Sequence, residues 1–415
     1  MSDHVDTELI ACHECDQLHS VDPIEAGATA LCQQCGAVLY KHIPDSLNRS
    51  LALYLAAMIL FLIANSFPFL ALKLGGRVEQ NLLISSSWAL HELGMTGLGI
   101  LVFLTSVGFP FIAITGMLYL LIPARFGRQP PGMVTVFRLV NAINPWSLVG
   151  VFMLGVLIAF VKLQDLATVI PGTSVYALAA LLIVYSAARA NFDPRLLWAS
   201  SPSPSVRPRL IDLSTPGSRF LNCHICGLVN EFGDGHQHCR RCRSALHFRR
   251  ENSIQKTWAL IFSASILLIP ANVYPVMTVI RFGQGSPSTI LGGIEHLVEG
   301  GMWGLALIIF FASIVVPILK LIVLCFLLIS IQHKSGWRPR DRTLLYRVTE
   351  AVGAWSMVDV FLVGLLSALV SLDALSTISP GIGATFFAAV VVITMFAAHG
   401  FDPRLIWDNM PETDQ

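Results

Sequence analysis

Long apolar runs recur along most of this chain. The first half carries them at about 50–72, 95–122, 143–164 and 172–190, and the second at about 257–280, 302–331, 350–372 and 380–399. Each is long enough for a helix across a hydrocarbon core of roughly 30 Å. Lipid also demands that every backbone group be satisfied within such a segment. The pattern therefore predicts an all-α polytopic membrane protein with eight spanning helices. Polar stretches divide it into a first module at 1–48, a first bundle at 49–198, a linker and second module at 199–252, a second bundle at 253–407 and a tail at 408–415.

The two halves repeat each other. ANSFP (64–68) aligns with ANVYP (271–275), Pro110 with Pro317, PWSLVGVFMLG (145–155) with AWSMVDVFLVG (354–364), and FDPRLLW (192–198) with FDPRLIW (401–407). A repeat at nearly constant offset marks a duplicated unit. Each half holds an even number of helices, so both share one orientation, unlike the inverted repeats of many transporters. Two tandem four-helix bundles, related by a pseudo-twofold axis along the membrane normal, are expected. Gly94, Gly97 and Gly99, with Gly300, Gly301 and Gly304, would permit close helix contacts.

Composition agrees. The 415 residues are 54% hydrophobic and only 13% charged, about half the charged share of a soluble domain, and the mean hydropathy is +0.67. A net charge of +1 points to no nucleic-acid partner. The N-terminus lacks a signal peptide's basic-then-apolar order. Lys and Arg cluster in alternate loops: Arg125, Arg128 and Arg138; then many arginines in the central linker; then Lys334, Arg338, Arg340, Arg342 and Arg347. That bias predicts that both termini and both polar modules face the cytoplasm, where thiols stay reduced.

The modules contain eight of the nine cysteines, as Cys-x-x-Cys pairs: Cys12 and Cys15 with Cys32 and Cys35, and Cys223 and Cys226 with Cys239 and Cys242. Spacers of sixteen and twelve residues let two thiolate knuckles close a tetrahedral four-sulfur site, for which zinc is the default metal. A rubredoxin-like iron site would use the same ligands. Gly36 and Gly227 suit the tight knuckle turn. A complete sulfur shell leaves no open coordination position, so the two zinc sites are expected to be structural and to supply folding energy to modules too small for a large core. His224, His236 and His238 are expected outside the ligand set, and Cys325, alone in an apolar run, is expected to be packing.

Polar residues inside the apolar runs are the other candidates. Lys320 sits in VVPILKLIVL, where a cation costs about 2.5–3.5 kcal/mol on insertion scales. Asp359 in the next run is its expected partner, and Thr394 in the eighth could hydrogen-bond to either. The duplication places Ala113 opposite Lys320 and Gly150 opposite Asp359, so this chemistry belongs to the second half. A Lys–Asp pair can relay or couple protons, fix helix register as an inert ion pair, or line a polar lipid path. Glu350, nearer the cytoplasmic end, is expected at the interface.

Asn65 and Asn272 precede Pro68 and Pro275 by three residues. These mark helix breaks, either plain kinks or a gate or docking rim. His91 with Glu92, and Glu295 with His296, are expected to be interfacial, and the FDPRLLW and FDPRLIW motifs structural. No phosphate-binding Gly-x-x-x-x-Gly-Lys-Ser/Thr loop, nucleophile elbow or open metal motif occurs, so no enzyme is expected.

Two cysteine ribbons, each preceding four membrane helices, together with PANVYP, SIVVPILKL, WSMVDVF and FDPRLIWD, resemble the paraquat-inducible protein A (PqiA) family, which includes the LetA proteins. The resemblance covers nearly the whole chain. It implies an inner-membrane protein of a Gram-negative bacterium with zinc ribbons. The protein would work with a partner whose MCE domains form a periplasmic tunnel, of the PqiB/LetB kind, in lipid transport between the two membranes. It also implies a polar network in the second bundle that couples transport to protons, matched here by Lys320, Asp359 and Thr394. Some relatives carry an acidic residue where this chain has Gly150. A non-transporting anchor for the tunnel, or a small-molecule exporter or redox sensor, are the alternative classes.

Overall fold

In this computed structural model, residues 9–21, 23–74, 77–164, 168–199, 219–232, 238–281, 284–369 and 376–408 are described. His236, the linker around Arg207 and Arg209, and all but the first residue of the tail lie outside them.

The chain is a mostly helical, multi-pass membrane protein. Among the described residues eight helices are long and apolar enough to span: Ser46–Ser66, Thr96–Arg125, Met133–Lys162 and Thr173–Asn191, then Ser253–Val273, Trp303–Gln332, Pro339–Ala368 and Ile382–Gly400, here spans 1 to 8. Spans 3 and 7 start well before their apolar runs. Their early segments, Met133–Ile143 and Pro339–Gly353, are apolar on one face only. Met133, Phe137, Val140 and Ile143 are buried at helical spacing, while residues such as Arg138 face outward. Short 3-10 turns at Asn144–Trp146 and Ala354–Met357 join these segments to the apolar remainder.

The duplication is visible in local geometry. Spans 2 and 6 each widen into a π turn, at Leu104–Gly108 and Phe311–Val315. Both precede a proline, Pro110 or Pro317, which has no N–H to give and would clash with the preceding turn. Spans 1 and 5 end just before Pro68 and Pro275 and run into small three-stranded antiparallel sheets. One pairs Leu70–Leu74 with Arg77–Asn81 and Thr168–Pro171; the other pairs Met277–Arg281 with Gln284–Ser288 and Ser376–Pro380. These strands read as plain outer loops in the sequence, because they are short and interspersed with charged residues. The loop before each fourth span passes so close to the proline that a Cβ at Gly172 would lie 2.0 Å from Pro68 O, and one at Gly381 2.1 Å from Pro275 O.

Within each half the first and fourth spans pack along each other. The halves meet through span 7, whose Val358–Leu369 segment packs on Val149–Gln164 of span 3 and on the short helix Ser85–Glu92. Span 7 is 78% buried over its apolar window and no other span exceeds 56%, so it is the axis of the molecule. Gly155 allows the close approach: a Cβ there would be 3.2 Å from Phe361 Cβ.

Candidate functional site

The cysteines form two compact clusters. Cys12 and Cys35 sulfurs are 3.5 Å apart, as are Cys15 and Cys32; Cys223–Cys242 and Cys226–Cys239 are 3.4 Å apart. Within each set all four sulfurs lie within 4.8 Å of one another. A tetrahedral metal with bonds of about 2.3 Å holds its sulfurs about 3.8 Å apart, so both sets fit a four-thiolate ion. Knuckle turns position them: Gly36 N–H donates to Cys32 O and Gly227 N–H to Cys223 O, at 2.9 and 2.8 Å. Gly36 and Gly227 take φ of 72° and 68° as expected, while Asp16 and Arg243 hold the same left-handed position in the other two knuckles. Crowding splits the thiols. Hydrogen bonds from Cys12 hold Cys35 far below the ordinary thiol range, while those with Cys12 push Cys15 far above it. A bound divalent cation would let all four ionise. His19, which spacing did not single out, reaches Cys32 Sγ at 3.3 Å.

The first ribbon docks on the second bundle. Arg347 of span 7 donates through Nε to Glu14 (2.6 Å) and through Nη2 to Cys35 O (3.2 Å) and Cys35 Sγ (3.5 Å). Arg249 pairs with Asp16 and Asp408. Asn222 of the second ribbon donates to Ala11 O of the first at 2.9 Å. In FDPRLIW, buried Arg404 grips Asp402 in two parallel bonds of 2.9 Å, and Trp407 Nε1 donates to Thr343. That is the structural role expected of the motif.

Within the membrane, the expected Lys320–Asp359 contact does not form: no ion pair joins them. Both are buried, at 3% and 6% exposure, and neither faces lipid. Lys320, on span 6, meets span 7 at a different level from Asp359. Lys320 packs on Gly353, where a Cβ would lie 2.7 Å from its Nζ. The carboxylate acting on Lys320 is Glu350, which itself faces His399 Nδ1 at 3.3 Å. Asp359 lies toward the sheet end. Its electrostatic partner is Lys162 of span 3, and both line a cavity of about 40 Å³ with Ser288 and Thr289. Asp359 Oδ2 has no hydrogen-bond partner, and Ser313 on the π turn faces it outside hydrogen-bonding geometry. The charges thus run along span 7 as two separate sites. Sequence reading missed Lys162, whose only signal is a single cation at the end of the third apolar run.

Thr394 is buried and donates to Val391 O of its own helix at 2.9 Å, not to Lys320 or Asp359. Asn65 and Asn272 cap carbonyls four residues back, Phe61 O at 2.8 Å and Leu268 O at 2.9 Å. Ser174 Oγ donates to Ala64 O, the carbonyl that Pro68 leaves without a helical donor.

Comparison with known proteins places these features in a family. The model for paraquat-inducible protein A matches residues 47–201 and 254–411. The chain is 34% identical to an intermembrane transport protein PqiA of Escherichia coli K12, over 99% of this chain and 98% of that one. It is 31% identical to lipophilic envelope-spanning tunnel protein A of the same organism, over 96% and 90%. It is also 28% identical to a probable intermembrane transport protein of Haemophilus influenzae, over 96% of each. No solved structure matches the chain.

Proposed function

The chain belongs to the paraquat-inducible protein A family, and on that premise we propose that it is an inner-membrane subunit of an intermembrane lipid transport system. It passes phospholipid to or from a periplasmic MCE-domain tunnel protein. The relatives' names support transport, with an envelope-spanning tunnel among them, over catalysis. The Lys and Arg bias toward the ribbon end supports cytoplasmic ribbons and termini. Both cysteine sets hold structural zinc; the buried, complete sulfur shells favour this over a redox centre.

The observation that carries a coupled transporter is the course of span 7. This most buried helix presents Glu350 beside Lys320 near the ribbon end and Asp359 beside Lys162 near the sheet end. A proton arriving at Asp359 Oδ2 cancels the carboxylate's attraction for Lys162 across the bundle interface. The bundles then shift against each other, and loss of the proton restores the attraction. Lys320 serves the ribbon-end level, with Thr394 on the neighbouring span. Asn65 with Pro68, and Asn272 with Pro275, end spans 1 and 5 at the sheet end and form the rim that meets the tunnel.

The test is complementation of envelope-stress sensitivity in a strain lacking the system. Lys320→Ala and Asp359→Asn each abolish rescue while protein levels stay normal. Full rescue by both variants removes the coupling and leaves a membrane anchor for the tunnel.

A further inference from the structure

Between the two ribbons and the ribbon ends of both bundles lies a crevice of about 1120 Å³. Its carboxylates are already engaged. Glu14 is held by Arg347, Asp402 by Arg404, Asp193 by the Arg195 backbone N–H, and Glu350 faces His399. Its cations are less so: Arg195 lies over the Tyr40 ring and the Arg250 side chain donates to backbone carbonyls, neither being paired with a carboxylate side chain among the described residues. Among the described residues, Arg189 at the end of span 4 and Arg241 on the second ribbon have no anionic partner. Arg241 Nε is buried and meets no acceptor. A buried guanidinium N–H without an acceptor is expensive, so an acceptor brought to it from the crevice is favoured. Asn144, also on the wall, accepts from Tyr185 through Oδ1 at 3.2 Å, which leaves its amide N–H groups as further donors.

Such a surplus of donors matches an oxyanion, and planar guanidinium forks suit phosphate in particular. The lining is not polar throughout: Tyr54, Met117 and Phe137 of the first bundle also face the crevice. A ligand with a phosphate at one end and an apolar portion at the other matches both kinds of lining.

We propose that this crevice binds a phosphate group, supplied by a phospholipid of the leaflet on the ribbon side, with Arg189 and Arg241 as its cationic contacts. The choice of a lipid as source rests on the lipid-transport reading; the phosphate chemistry does not.

The experiment uses the full chain, purified in neutral detergent. Native mass spectrometry measures retention of phosphatidylglycerol against diacylglycerol, which lacks the phosphate, and thermal shift measures the response to inorganic phosphate. Phosphatidylglycerol is retained in preference, and R189Q and R241Q each weaken retention about tenfold, the worth of one charge-assisted hydrogen bond. R338Q, at the exposed start of span 7, leaves it unchanged. D359N also leaves it unchanged, so loss of coupling and loss of this site are told apart. Because Arg241 lies between Cys239 and Cys242, the metal content of R241Q is measured alongside, and R189Q tests the site without touching a ribbon. Stabilisation by inorganic phosphate that is lost in R189Q, without preference for phosphatidylglycerol, supports the phosphate site and assigns it a soluble source. Equal retention of the two lipids with no response to phosphate, or retention unchanged in both R189Q and R241Q, overturns the proposal.

Discussion

Phe152 and Phe361 occupy the same position in the two repeats, and their rings meet edge to face with centroids 5.3 Å apart and planes at 82°. Duplicated residues in mutual contact are what a pseudo-twofold axis between the third helix of each bundle requires. Both rings are buried, at 1% and 0% exposure, so this contact is the centre of the joint between the halves. Truncating either to Ala removes a large buried ring at a cost of about 3–5 kcal/mol. The double variant F152A/F361A costs less than the sum, because each single change already removes their shared contact. Unfolding of the purified protein in detergent measures this; strictly additive losses would show that the rings do not support each other.

Asp402 and Arg404, paired just past the end of span 8, reach the ribbon end through the Arg250 N–H and Asp16. Burial alone would raise the Asp402 carboxyl, but the hydrogen bonds and charge of Arg404 outweigh it and hold the group below its ordinary value. A depressed acid contributes stability that is present above its unfolded pKa of about 3.9 and is lost as pH falls through the lower folded value. The wild-type chain therefore loses this contribution only below about pH 4. D402N is destabilising at neutral pH by less than the roughly 3–5 kcal/mol of a fully stranded buried charge, because Arg404, which is 2% exposed, keeps Asp16 as its remaining counter-charge. Thermal unfolding of both proteins from neutral pH down to about pH 3.5 separates the two: the difference between them narrows only at the acid end.

How far these sites could be read from sequence follows from what periodicity encodes. Apolar length set the eight spans, and motif spacing set both cysteine clusters. The early halves of spans 3 and 7 escaped because only one face of each is apolar, as the burial of Met133, Phe137 and Val140 shows. The partner of Asp359 escaped for another reason. A sequence places a charge at a depth along its own helix, but not on a rotation or against a neighbour. Lys320 and Asp359 lie in successive runs, yet the bundle turns Lys320 toward Gly353 and Asp359 across the interface to Lys162.

The first cysteine cluster and the membrane are joined at Arg347, which bonds both Glu14 and Cys35 of the first ribbon from its place on span 7. The purified chain is expected to carry about two zinc ions, one per cysteine cluster. C32S lowers the content by one ion, and C239S lowers it by one independently. R347A keeps both ions but speeds chelator extraction of the first, since the N–H that steadies the Cys35 sulfur is gone, while extraction of the second keeps its rate. A stopped-flow chelator assay on the single-site variants resolves the two. Equal rates with and without Arg347 would mean the first ribbon is indifferent to its dock.

Lys162 and Asp359 make the most exacting case, because among the described residues each is the other's only charged neighbour in a narrow cavity. Removing the cation alone leaves a carboxylate that is 6% exposed with an unpartnered oxygen, and losing a counter-charge beyond ion-pair distance costs less than the roughly 3–5 kcal/mol of breaking a buried pair. K162M therefore lowers the midpoint of unfolding in detergent. D359N alone is milder, since Lys162 is less deeply buried. The double variant K162M/D359N recovers most of the loss, because no uncompensated charge remains at the interface. Such a cycle reads the interaction without any assay of transport. A double variant as unstable as the sum of the singles would mean that Lys162 does not stabilise the Asp359 carboxylate.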